Sequence, residues 1–185
     1  MRTPGWIRAI REIVVLLGLG LASATLMSCG SDEGQTSFEG TYEVISHTRN
    51  TDGCNAEGEA FDGDSYFRLA RVDGGNRLAY YPCDGPDNCD DIANSTKSFS
   101  TRNEDEWRNM LWAGNDSGSM CILQLTERIL TSDSNGIRIE RRVFSKTYED
   151  SEVECEGEAA ESRRDELECQ VYEKLIAVPA GTDAS

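Results

Sequence analysis

Asp84, Asp87, Asp90 and Asp91 place four carboxylates in eight residues, within the turn-rich run Asp84-Gly85-Pro86-Asp87-Asn88-Cys89-Asp90-Asp91. Oxygen ligands on a turning backbone suit calcium. The glycine and final glutamate of an EF-hand loop are missing, so the expected reading is a solvated turn with no resident metal. A zinc site needs Cys-x-x-Cys or histidine spacing. This chain has no Cys-x-x-Cys and a single histidine, His47. It also lacks a Gly-x-Ser-x-Gly elbow and a phosphate-binding P-loop. These absences leave no catalytic constellation to assign. The expectation is a protein that is not an enzyme and carries no cofactor.

Arg2, Arg8 and Arg11 precede an apolar stretch from Ile13 to Leu21, and small residues follow it up to Leu26-Met27-Ser28-Cys29. That layout is that of a secretory signal peptide. The apolar stretch is shorter than the roughly 20 residues a spanning helix needs. Leu26, Ser28 and Cys29 resemble the lipobox of bacterial lipoproteins, with Met27 where a small residue is usual. The resemblance implies that residues 1–28 are removed and that Cys29 is lipidated and becomes the first residue of the mature chain. It implies attachment to a membrane through acyl chains on Cys29, in the cell envelope. Gly30 after the cysteine points to the outer membrane. Residues 29–37 are polar and read as a flexible tether.

With Cys29 given to lipid, six cysteines remain: Cys54, Cys83, Cys89, Cys121, Cys155 and Cys169. An even number in an exported chain implies a disulfide framework. Cys83 and Cys89 bracket the acidic turn and suit a local bridge. Cys155 and Cys169 flank an acidic segment and would staple its ends, which leaves Cys54 with Cys121. Sequence alone does not choose among the pairings.

The elements that must position these residues read as strands. Removing residues 1–28 leaves 157 residues, with 15 basic and 33 acidic side chains and a formal charge of −18. That length suits one domain, residues 38–178, with a tail over 179–185. Such a charge excludes nucleic-acid binding by electrostatics. Runs of β-branched and aromatic residues alternate with Gly, Asp and Asn turn signals. The expected strands are Thr41–Thr48, Ser65–Val72, Arg77–Cys83, Lys97–Thr101, Glu106–Ala113, Met120–Leu130, Ile137–Tyr148 and Cys169–Val178. Asp73-Gly74-Gly75-Asn76, Gly114–Ser119 and Thr131–Gly136 read as turns. Glu149–Glu168 is charged and rich in helix formers, and reads as an exposed helix or acidic excursion.

About eight antiparallel strands with a late helix resemble the calycin barrels, the lipocalin group in particular. Phe38-Glu39-Gly40-Thr41-Tyr42 lies where a lipocalin carries Gly-x-Trp, with Tyr42 in place of the tryptophan. The fold expected is a small, mainly β barrel with one short C-terminal helix, and a disulfide-stapled β-sandwich is the alternative. The resemblance implies a lumen, with Phe67, Tyr80, Trp112, Leu123 and Leu125 as candidate lining. Arg141, between Ile139 and Val143, is the one charge on an inward alternation. It is placed to meet an anionic ligand head, to pair with a buried acid, or to lie at the barrel rim.

Two functions follow. The first is a non-catalytic surface or envelope interaction module that uses its acidic face, because large aliphatics are few relative to charge. The alternative is a lipocalin-like carrier of a small apolar or amphiphilic ligand. A lumen plugged by Phe67, Leu69, Leu123, Leu125, Ile137 and Ile139 would favour the module, and an apolar cavity of about 300 Å³ or more the carrier.

Overall fold

The computed structural model describes residues 37–54, 58–103, 105–149 and 152–181. The signal segment, Cys29 and all but the last residue of the tether lie outside the described residues. Ten antiparallel strands form one sheet. They are β1 (Gly40–Asn50), β2 (Glu59–Ala60), β3 (Tyr66–Val72), β4 (Arg77–Gly85), β5 (Asn88–Cys89), β6 (Thr101–Asn103), β7 (Glu106–Ser117), β8 (Met120–Asp133), β9 (Gly136–Glu149) and β10 (Glu168–Pro179). One short helix, α1 (Gly157–Ser162), precedes β10.

Seven of the eight expected strands correspond to observed ones. Of Lys97–Thr101 only Thr101 is in a strand, because the segment turns at Lys97 and pairs with the sheet by a single bridge at Phe99 before β6 begins. The two-residue strands β2 and β5 are additional. The ladder order is β5-β4-β3-β1-β10-β9-β8-β7-β6, with β2 on β1. This path is one sheet, not the two of a sandwich, and the ladders do not close it into an eight-stranded barrel. A single bridge, Leu78 with Phe99, ties β4 to the segment entering β6.

The sheet coils because one core spans both of its ends. Phe67, Leu78 and Tyr80 from β3 and β4 cluster with Trp107, Leu130, Ile137, Ile139 and Leu175 from β7 to β10. Burying such a face stabilises by about 1.5–3 kcal/mol per large apolar side chain. The opposite face of β7, β8 and β9 carries a second cluster. Cys121, Leu123, Leu125 and Tyr148 meet Ala160 and Leu167 of the excursion, with Trp112 and Phe144 packed against them.

β8 therefore buries both of its faces, over different lengths. Its register with β7 and β9 is unbroken, so Leu123 and Leu125 lie on the face opposite Leu130. Gly114 sits under the excursion, where an added Cβ would lie 2.3 Å from the Cys155 carbonyl carbon. That close approach lets β7 run on to Ser117, past the turn expected at Gly114. The turn is confined to Gly118 and Ser119, and Gly118 has φ +76°.

The disulfides are Cys83–Cys89, Cys54–Cys169 and Cys121–Cys155. The local bridge is the one expected. The other two replace Cys155–Cys169 and Cys54–Cys121. The reason lies in what each loop packs on. The excursion crosses the face that carries Cys121, while the loop with Cys54 runs beside β10, where the Gly53 amide donates to the Gln170 carbonyl at 3.3 Å. No helix among the described residues is long and apolar enough to cross a membrane.

Candidate functional site

Strand register builds the site row by row. On the inner face, Trp107, Leu130, Ile139, Leu175 and His47 stand side by side across β7, β8, β9, β10 and β1. Two residues along each strand, roughly 7 Å away, the next row is Asn109, Arg128, Arg141, Glu173 and Arg49. One step further come Leu111, Thr126, Val143 and Val171. A row with three guanidiniums and one carboxylate thus lies between largely apolar rows.

The core does not fill this level. A cavity of about 500 Å³ is bounded by Arg128, Arg141 and Glu173, by Leu111, Ile139 and Leu175, and by Tyr80 and Lys97. The segment after β2 supplies another wall through Phe61, Gly63 and Asp64. The Phe61 amide donates to the His47 carbonyl at 2.9 Å. Its ring meets the His47 ring edge-on at 4.9 Å, and the Arg49 guanidinium lies 4.9 Å from its centre. At Gly63 an added Cβ would lie 2.7 Å from His47 Nδ1, so the segment seats there only as glycine.

Most of the charges are matched. Glu173 Oε1 accepts from Arg141 Nη1 at 2.8 Å and lies 3.4 Å from Arg49 Nε. Asp64 accepts from the Tyr80 hydroxyl at 2.6 Å and from Lys97 Nζ. Burial pulls the Asp64 carboxyl upward, but the bonds from Lys97 and Tyr80 outweigh it and hold the group below its ordinary range. Burial, then the bond to Asp64, pushes the Tyr80 hydroxyl far up, so it stays a donor. Burial lowers His47, against the pull of Glu173. The imidazole is therefore neutral at pH 7, and its Nδ1 has no hydrogen-bond partner.

Arg128 is different. It is half-buried against the cavity, and burial followed by the charge of Arg141 pulls its guanidinium below the ordinary value. Among the described residues no carboxylate lies within salt-bridge reach of it, and no side-chain hydrogen bond to it is formed.

The structure brings Phe67, Tyr80 and Arg141 to the inner face. Phe67 lies in the core, stacked on Tyr80 at 4.8 Å, and not in the cavity. Trp112, Leu123 and Leu125 are not lumen residues. They lie on the outer face under the excursion, because alternation along β8 names two faces and both are covered. Arg141 meets a buried acid, one of its three expected placements, and lines the cavity as well. The sequence reading missed Arg128, Glu173 and Asp64. The signal for Arg128 was available, since it shares the parity of Leu130 and not that of Leu125.

The acidic turn does not assemble a metal site. Asp84, Asp87, Asp90 and Asp91 are all exposed. The Cys83–Cys89 bridge and the β4–β5 pairing hold the turn as a hairpin. Among the described residues no group of three or more His, Cys, Asp or Glu is placed to hold a metal. No family model, curated protein or solved structure matches this chain.

Proposed function

We propose that this protein is a lipid-anchored envelope lipoprotein whose single β domain binds a small molecule without transforming it. The observation that carries the reading is the inner cavity of about 500 Å³, within the size range of small-ligand sites. Its lining combines apolar side chains with a few convergent polar ones, as such sites do. The inner core fills the coiled sheet on one side through Phe67, Leu69, Ile137 and Ile139. Leu123 and Leu125, needed to plug the rest, face the other way. The partly filled interior is a polar variant of the calycin-like carrier.

No side chain in the cavity is arranged as a nucleophile with its base, which supports a binding role. The test is native mass spectrometry of protein from the producing host. A copurifying small molecule, lost on filling the cavity with Leu111→Trp, supports the reading. Protein that stays empty and also binds nothing from a host metabolite extract contradicts it. Anchoring is tested separately by labelling cells with a fatty-acid analogue. The parent should be labelled and Cys29→Ala should not.

A second reading rests on the excursion. Cys121–Cys155 and the buried Ala160 and Leu167 fix it to the sheet, while Glu152, Glu154, Glu158 and Glu161 stay exposed. That fixed acidic surface suits a cationic partner, as the interaction-module reading requires.

A further inference from the structure

We propose that the cavity selects a compact organic anion, an acid group on a short apolar body, and that Arg128 is the residue that meets the acid group. This rests on the small-molecule reading above and names its ligand class. The first ground is the unmatched charge. Arg128, Arg141 and Lys97 line the cavity with only Glu173 and Asp64, and His47 is neutral. One positive charge remains uncompensated inside a chain whose mature charge is −18.

The second ground is placement. Arg128 stands directly opposite Arg141 across β8 and β9, and like charges in that position destabilise a sheet. A methionine or leucine would match the largely apolar rows on either side. A half-buried guanidinium beside a second one, with no carboxylate within salt-bridge reach, is costly, and an anion between Arg128 and Arg141 would remove that cost. The guanidinium fork suits a carboxylate or phosphate group, because both offer paired oxygens.

The third ground is the rest of the wall. Leu111, Ile139, Leu175 and the rings of Phe61 and Tyr80 border the same space. They give the body of the ligand an apolar seat beside the charge.

The test is calorimetric titration of the full-length protein in neutral-lipid nanodiscs. The probes are phenyl phosphate, phenylacetate, 2-phenylethanol and phenethylamine, which share a ring and differ in charge. Both acids are expected to bind, phenyl phosphate more tightly because its extra oxygen and charge can reach Arg141 as well as Arg128. The alcohol and the amine should bind at least about tenfold more weakly. Arg128→Met should weaken both acids about tenfold or more. Arg128→Lys should fall between, and Arg142→Met should leave both unchanged. Equal binding of phenylacetate and 2-phenylethanol, unaffected by Arg128→Met, would overturn the anion inference and leave the small-molecule reading standing. Failure of both acids to bind would also overturn it, and the copurification test then decides the small-molecule reading by itself.

Discussion

The β8–β9 hairpin carries arginines on both faces, and the two sets live under different rules. On the outer face Arg108, Arg138 and Arg142 belong to one network. Arg108 reaches Glu106 and Glu127, Arg142 reaches Glu127 and Glu140, and Arg138 reaches Glu140 and Asp133. Every one of these cations has a carboxylate, and each is more than a third exposed along its side chain. On the inner face Arg141 shares Glu173 with Arg49, and Arg128 has no carboxylate within salt-bridge reach, with Glu173 and Asp64 acting on it only at longer range. The same residue type, one position apart in parity, is surface charge on one side and an unbalanced charge on the other. A fold that needed only stability would match or delete the inner charge. Its place on the cavity wall is the observation on which the proposed anion site rests.

The comparison breaks most severely at its one inner carboxylate. Glu173→Leu should cost about 1.5–3 kcal/mol in urea unfolding, because the partly buried Arg141 would lose its charged hydrogen bond and Arg49 its ion pair. Arg128→Met should move stability the other way. Removing the unmatched guanidinium should raise it by about 1–4 kcal/mol, read as a higher midpoint with an unchanged slope. The matching change on the outer face, Arg142→Met, removes exposed pairs, so it should lower stability by less than about 1 kcal/mol. Opposite signs for Arg128→Met and Arg142→Met are the sharpest thermodynamic form of the contrast.

The smallest expected effect depends on pH. His47 has its folded pKa lowered, first by burial. The unfolded chain therefore binds more protons below its ordinary value of 6.5. Stability is complete above pH 6.5 and falls as pH drops through the lower folded value. Asp64 is lowered as well, so its contribution holds above the ordinary 3.8 and is lost only at more acid pH. A urea midpoint measured against pH should decline below 6.5 in the parent, and His47→Gln should flatten that first decline alone.

The sequence showed the hairpin plainly. Ile137, Ile139 and Val143 alternate with Arg138, Glu140 and Arg142, and the structure buries the first set on one face. The Cys83–Cys89 bridge was legible too, because six residues around a Gly-Pro turn leave little choice of geometry. Alternation did not say what covers each face. Leu123 and Leu125 read as inward, yet an excursion some 30 residues later in the chain covers them from outside. The long-range disulfides followed that packing and were out of reach for the same reason. Arg128 was hidden by its neighbours. In Thr126-Glu127-Arg128-Ile129 it resembles a surface charge beside a surface acid, but Glu127 turns to the outer network and Arg128 to the cavity. Glu173, Asp64 and Lys97 come from three separate parts of the chain, and only the coiling of the sheet brings them together.

Arginine side-chain NMR offers the most direct test, because it reads the two faces in one spectrum. With Nε–H signals assigned through Arg128→Met and Arg142→Met, phenyl phosphate is added to the full-length protein. The Arg128 signal should shift with saturating dependence and Arg141 should follow it, while Arg138 and Arg142 stay in place. Movement of the outer arginines with Arg128 unmoved would rule out anion binding at Arg128.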